Sequence, residues 1–77
     1  MDISLTRLKM GKEGTIKRLR GGRVFKRRLR TMGVREGKDV TVLTKHPMGG
    51  PLVIDIGGKH TTIGRGMAAR IIVRVKR

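Results

Sequence analysis

Residues 23–33 read RVFKRRLRTMG and carry the helical pattern of the chain. Its apolar side chains recur at i, i+4 and i+7, the spacing of one helix face: Phe25, Leu29 and Met32. Gly33 follows at the position where a left-handed residue commonly closes a helix. We therefore predict one short helix that begins at Arg23 and ends at Met32.

The segments around this helix alternate apolar and polar residues, which indicates strands with one buried face. Five such strands are predicted, over residues 13–19, 38–44, 52–56, 59–63 and 71–75. Paired glycines separate several of them and are typical of tight turns. The short element Gly64-Arg65-Gly66 is also interpreted as a turn. This order predicts a mainly β fold, a small and partly open β-barrel of about five strands with the helix between the first two.

Composition limits the classes of protein to consider. The chain has 77 residues, enough for one domain over residues 1–77, with 20 Lys and Arg against five acids and a net charge of +15. It has no cysteine, which excludes disulfides, cysteine-ligated metals and thiol nucleophiles. No apolar run approaches the ~20 residues that cross a bilayer, and the N-terminus lacks a signal-peptide core. We expect a cytoplasmic protein whose partners are anionic.

The order of the sequence motifs resembles that of the FeoA family. The matching motifs are Leu8-Lys9-Met10-Gly11, Gly14-Thr15-Ile16, RLRTMGVREG at 28–37, Val40-Thr41-Val42-Leu43, Gly50-Pro51-Leu52-Val53-Ile54 and Ala68-Ala69-Arg70-Ile71-Ile72-Val73. The resemblance covers about residues 5–75. It implies an SH3-like β-barrel and a cytosolic accessory protein of ferrous iron uptake. In that family the partner is FeoB, a membrane Fe²⁺ transporter with a cytoplasmic GTPase domain. Similar domains also form the C-terminal part of iron-dependent repressors.

A basic cluster runs from Lys17 to Arg30, with eight cations and no acid. Like charges four residues apart on a helix cost a few tenths of a kcal/mol each, so a partner gains more from them than the fold does. We expect this face to dock on the transporter through Arg23, Lys26, Arg27, Arg30 and Arg35. An anionic membrane surface at the inner face of the cell membrane is a second candidate partner, and an ordinary solvated helix face is the alternative.

Arg28 differs from the other cations because it projects into the apolar arc of the helix, between Val24 and Met32. A guanidinium there must reach water or find an acceptor. The acids downstream of it are Glu36, Asp39 and Asp55. We predict that Arg28 pairs with an acid or a carbonyl and ties the helix to the barrel. The residues assigned to this structural tie are Arg28, Leu29, Gly33, Gly37 and Pro51.

Catalysis and metal binding find no support in the sequence. His46 and His60 are 14 residues apart without a carboxylate cluster, so we expect exposed loop histidines, no metal and no cofactor. Ser4 is the only serine and has no histidine–acid arrangement around it. The turn at residues 49–51 lacks the Lys-Ser/Thr ending of a phosphate-binding loop. We predict a non-enzymatic protein without a small-molecule substrate, although an arginine finger toward a partner GTPase, from Arg27 or Arg30, is left open.

A nucleic-acid-binding protein, RNA- or ribosome-associated, is the alternative function. A small barrel with this charge will contact phosphates, and nonspecific binding at low salt is expected. Specific single-strand binding also needs aromatic rings on which bases stack. Phe25 is the only aromatic residue, and its spacing places it in the core.

Overall fold

The computed structural model describes residues 1–76. Six strands, two helices and one 3-10 turn follow each other along the chain, in this order: β1 Asp2–Ser4, the turn Leu5–Arg7, β2 Glu13–Leu19, α1 Arg23–Thr31, β3 Asp39–Lys45, β4 Leu52–Ile56, β5 Lys59–Ile63, α2 Arg65–Ala68 and β6 Ile71–Val75.

All six strands form one antiparallel sheet in the order β1-β6-β2-β3-β4-β5. The mainly β class and the five predicted strands are confirmed, and four of those strands have the predicted bounds. Within the described chain no ladder joins β1 to β5, so these two are edge strands and the sheet remains open. Bulges in β2 and in the β3–β4 pairing bend it.

Two short elements were missed by the sequence prediction. Strand β1 has three residues, too few to display an alternating pattern, and it exists because Ile3 lies opposite Val73 in β6. Its presence places α1 between the second and third strands. Helix α2 covers one turn where the sequence predicted only a turn, and its Ala68 is fully buried.

Helix α1 ends in a Schellman motif, as the position of Gly33 predicted. Gly33 has φ +86°, and its N–H donates to the carbonyl of Arg30 at 3.0 Å. The N–H of Val34 donates to the carbonyl of Leu29 at 2.9 Å. Both Val34 and Leu29 are fully buried, which is the apolar contact that accompanies this motif. The helix therefore stops after Thr31, and the chain turns back along its side.

The apolar side chains of the strands, of α1 and of the turn before β2 form one aliphatic core. Its largest fully buried side chains are Leu5, Leu8, Ile16, Leu29, Leu52, Ile54, Ile63, Ile71, Val34, Val40, Val42 and Val73. Leu29 is the residue that α1 inserts into this core, while Phe25 and Met32 pack at its margin. Among residues 1–76 no polar or charged side chain is buried, so apolar burial holds the domain together.

The predicted partner of Arg28 is not present in the described chain. Arg28 is exposed, and neither an ion pair nor a side-chain hydrogen bond involves its guanidinium within residues 1–76. Arg28 needs no acceptor because the helix face on which it lies meets solvent. Val24, one helical turn earlier on this face, is 73% exposed. The apolar stripe of α1 is thus narrower than the sequence suggested, and the expectation of an Arg28 acceptor is corrected.

The other residues assigned to the structural tie occupy different places. Leu29 is in the core, and Gly33 and Gly37 have φ +86° and +90°. The N–H of Gly37 donates to the carbonyl of Ile16 at 2.8 Å, which attaches the segment after α1 to β2. Pro51 is exposed, and its carbonyl accepts from the N–H of His46 at 3.0 Å.

Candidate functional site

An open groove of about 420 Å³ runs along α1 and is lined almost entirely by arginine. Its lining residues are Arg23, Arg27, Arg30, Thr31 and Arg35. We call it the arginine groove. It brings together four of the five residues predicted to bind a partner. Lys26, the fifth, is half-buried and does not line the groove.

The groove is built by helix periodicity and by the turn that ends the helix. Arg23, Arg27 and Thr31 are four residues apart and therefore share one face of α1, with Arg30 beside them. Arg35 lies outside the helix. The left-handed Gly33 returns the chain along α1, which places the Arg35 side chain against the same groove.

The electrostatics of the groove are strongly positive. No acidic side chain is among the residues that line it. Glu36 approaches Arg30 at 3.6 Å from outside, and both side chains are about half exposed, so this pair is weak and screened by salt. In the part of the chain that the structure describes, Arg23, Arg27 and Arg35 have no ion pair.

Each of the five acids lies beside a basic side chain, which is Lys or Arg for four of them and the imidazole of His60 for Asp55. The pairs are Asp2–Arg74 at 2.9 Å, Asp39–Lys76 at 3.0 Å, Glu13–Lys76 at 3.6 Å, Glu36–Arg30 at 3.6 Å and Asp55–His60 at 3.8 Å. Only Glu36 is close to the arginine groove. Within residues 1–76 Arg30 is therefore the one groove arginine with an acid beside it, and Arg23, Arg27 and Arg35 have none.

The pairs around Asp2 and Asp39 shift the titration of these groups. A hydrogen bond from Arg74 lowers the pKa of Asp2. Hydrogen bonds from Lys76 and from Thr15 lower the pKa of Asp39. The same contact with Asp39 raises the pKa of Lys76. Lys76 follows β6, and its contacts with Glu13 and Asp39 link this segment to β2 and β3.

Ser4, His46 and His60 do not form a catalytic or metal-binding group in the described chain. The Ser4 hydroxyl accepts from the N–H of Thr6 at 3.2 Å and caps the 3-10 turn. His46 is exposed in the loop before Pro51, whereas His60 is in strand β5 rather than in a loop, facing Asp55 across the ladder. Residues 1–76 contain no grouping of three His, Cys, Asp or Glu side chains that could hold a metal ion.

The ring of Phe25, the single aromatic residue of the chain, is in contact with other parts of the protein. Phe25 packs against the core, and the Arg70 guanidinium lies 5.3 Å from its ring centroid, at cation–π distance. Gly21 also approaches the ring so closely that a Cβ there would be 2.4 Å from it. Arg70 was not among the predicted site residues, since nothing in the sequence places it near Phe25. The ring is not a free stacking platform for a base.

No helix formed by the described residues has the length and apolar character needed to cross a bilayer.

The sheet order, the helix after the second strand and the single aliphatic core define a small SH3-like β domain, with a basic groove on its helix. The family model of the FeoA domain matches residues 3–75. The chain belongs to the FeoA domain family. Membership gives it a role in ferrous iron transport and associates it with an Fe²⁺ transport system, in agreement with the resemblance stated from the motifs.

Solved structures support this assignment. A crystal structure described as an iron uptake regulatory protein (FeoA) has 36% sequence identity and a TM-score of 0.92, with 99% of this chain and 100% of that chain covered. The FeoA protein from Chlorobium tepidum has 27% identity and a TM-score of 0.88, with 97% and 71% covered. A search among curated proteins found no match.

The same fold occurs within larger repressors. A manganese-dependent transcriptional repressor has 20% identity and a TM-score of 0.88, with 97% of this chain but only 42% of the repressor covered. At this identity the similarity concerns the fold alone.

Proposed function

We propose that this protein is a cytosolic, non-enzymatic accessory protein that docks on the cytoplasmic domain of a FeoB-like Fe²⁺ transporter through the arginine groove. The observation that carries the proposal is the convergence of four arginine side chains on one open groove without an acidic residue in its lining. Family membership supports the transport context.

The chemistry of the groove suits carboxylates on a partner protein. Guanidinium groups are planar, remain charged and donate two parallel hydrogen bonds to a carboxylate. Three of these groups are on a helix whose end is fixed by the Schellman motif, so their backbone positions are set before the partner arrives. Less entropy is then lost on binding than from a flexible basic tail.

Docking also relieves a cost within the free protein. Arg23 and Arg27 are four residues apart and repel each other weakly. Arg30 exchanges its long contact with Glu36 for a closer acceptor on the partner. The field of the groove steers an acidic surface toward α1, and its range is about 8 Å at physiological ionic strength.

The proposed mechanism is a bias on the conformation of the transporter. A bound protein shifts an equilibrium between two conformations only by the difference in its contact energy with them. The groove contributes these contacts and no reacting group. The sign of the effect depends on which conformation of the transporter presents its acidic face to α1.

Neighbouring arginines of α1 provide a matched test. Arg27 lines the groove, whereas Arg28 is exposed outside it and carries the same charge. Binding of the purified cytoplasmic domain of the transporter is measured by calorimetry at physiological salt, after nuclease treatment. We expect Arg27→Gln to weaken binding about tenfold and Arg28→Gln to change it less than about twofold.

Two results would contradict the proposal. Equal losses at Arg27 and Arg28 would show that binding follows net charge rather than the groove. Affinity that does not change as the salt concentration is raised would exclude a charge-based interface.

Nucleic acid binding is the alternative function, favoured by the net charge of +15. The covered ring of Phe25 opposes base-specific binding. A salt titration with RNA separates the two: nonspecific phosphate contacts lose affinity steeply with salt, while sequence-selective binding that survives high salt would replace the transporter proposal.

A further inference from the structure

A second groove, of about 400 Å³, lies where β1 begins, β6 ends and the segment before β2 passes. Its floor is apolar and consists of Ile3, Leu8 and Val75. Its rim is cationic and consists of Arg7, Lys9, Lys12 and Lys76. Lys76 is engaged with Asp39 at 3.0 Å. The other three rim cations have no ion pair within residues 1–76.

Exposed apolar side chains gather at the same end of the sheet. Met1, Met10 and Val75 are 87%, 59% and 39% exposed, and they are three of the five large apolar residues that the described chain exposes. Met1 precedes Asp2, which lies opposite Arg74 in β6, so Met1 is at the level of Val75. Exposed apolar groups with a polar rim are a sign of an interaction surface.

Met10 lies in a tight turn just before β2. The N–H of Lys12 donates to the carbonyl of Lys9 at 3.0 Å, and Gly11 has φ +81°, which is the geometry of a type II turn. The N–H of Gly11 donates to the carbonyl of Val42 in β3 at 2.7 Å, so the turn is attached to the sheet. Met10 therefore lies in a turn that is hydrogen-bonded to the sheet, and its side chain is 59% exposed.

We propose that this end of the sheet docks on a bilayer of anionic phospholipids. Met10, with Met1 and Val75, enters the boundary between headgroups and acyl chains, and Arg7, Lys9 and Lys12 contact the phosphates. Apolar insertion and attraction to anionic lipids add up in this mode of binding, and each cation near the surface contributes on its own. This surface is separate from the arginine groove, so a single molecule can contact the membrane and present α1 to a protein partner.

Tryptophan reporters give the most direct test, because the chain contains no tryptophan. Single-tryptophan variants are made at Met10, at Met48 and at Val24, the last two being 102% and 73% exposed on other parts of the surface. Mixed phosphatidylcholine–phosphatidylglycerol vesicles are added to each. We expect a blue shift, and quenching by brominated acyl chains, for Met10→Trp alone. Quenching at Met48 or Val24 instead, or at none of the three, would overturn the proposal.

Serine variants test the energetics without changing the net charge. Met10→Ser should weaken partitioning into the mixed vesicles about fivefold, because part of a methionine side chain is no longer buried. Met48→Ser and Val24→Ser serve as matched controls and should partition like the unmodified protein. Equal losses in all three variants would contradict a specific face.

Charge variants complete the test. Lys12→Gln should weaken partitioning about fivefold, and Arg28→Gln, on the exposed side of α1, should weaken it less. Pure phosphatidylcholine vesicles should bind none of the proteins appreciably. If Met10→Ser partitions normally yet loses the transporter's cytoplasmic domain, the groove binds a protein and the lipid assignment is wrong. Failure of this proposal leaves the Arg27 comparison unaffected, so the two are distinguishable.

Discussion

Substitution of Leu29 by alanine tests how α1 is held on the sheet. Leu29 is 0% exposed and is the only fully buried residue of this nine-residue helix. The two other apolar residues of its stripe, Phe25 and Met32, are only partly buried. Leu29 therefore contributes most to holding the helix in position, and the arginine groove depends on that position.

The magnitude follows from burial and from the size of the domain. Leucine-to-alanine changes at fully buried sites cost about 2–5 kcal/mol, because apolar contacts are lost and a cavity remains. A chain of 77 residues has a total stability of about 4–12 kcal/mol, at roughly 0.05–0.15 kcal/mol per residue. The variant should thus lose a large share of its stability and melt at least about 8 °C lower.

The assay is urea and thermal unfolding monitored by circular dichroism. Leu29→Met keeps the volume and should cost less than about 1.5 kcal/mol. Val24→Ala, on the same helix at a position that is 73% exposed, should remain within about 0.5 kcal/mol of the unmodified protein. A loss below about 1 kcal/mol for Leu29→Ala would refute the idea that this side chain anchors the helix.

Four further predictions each concern a single residue. Gly33→Ala should lower the free energy of unfolding by about 1 kcal/mol, because φ is +86° at this position even though a Cβ would meet no neighbouring atom. Gly66→Ala is the control: a Cβ there also meets no neighbour, but Gly66 is in helix α2, so the same unfolding assay should show a neutral or stabilising effect. The pKa of Asp39 in the folded protein is lowered from 3.8, so its contribution to stability is present above pH 3.8 and is lost as the pH falls through the folded pKa. Asp39→Asn should therefore reduce the loss of melting temperature at acidic pH, measured in a series of unfolding experiments at different pH. The pKa of Lys76 in the folded protein is raised from 10.5, so its contribution to stability is complete below pH 10.5 and is lost as the pH rises through the folded pKa. Lys76→Met should remove this loss of stability at alkaline pH. Arg28→Ala should leave the melting temperature unchanged, and a marked drop would restore the structural role that its exposure argues against.

Regular elements with a clear period could be predicted from the sequence. Strands such as Leu52–Ile56 alternate buried and half-buried residues in the structure, as their apolar pattern indicated. The helix of residues 23–31 and its left-handed end at Gly33 follow from spacing and from one glycine. Strand β1 could not be predicted in this way, since three residues form a strand only when β6 pairs with them.

The candidate site was predicted in part. The arginines of α1 were identified because like charges repeated without acids in between. Their convergence with Arg35 into one groove required the Schellman turn, and the exclusion of Lys26 required the packing of the helix. The second groove was not predicted, because Ile3, Leu8 and Val75 come from three separate segments.

The mainly β class, the position of α1 in the chain, the excess of positive charge and the scarcity of aromatic residues follow from the sequence alone. These depend on composition and on local spacing, which act within a few residues. The tertiary structure determines which side chains meet solvent and which are paired. Arg28 is exposed with Val24, the Arg70 guanidinium lies over the Phe25 ring, and Asp2 and Asp39 pair with Arg74 and Lys76. The physical reason is that burial and pairing depend on what packs against a residue, and these neighbours come from distant parts of the chain.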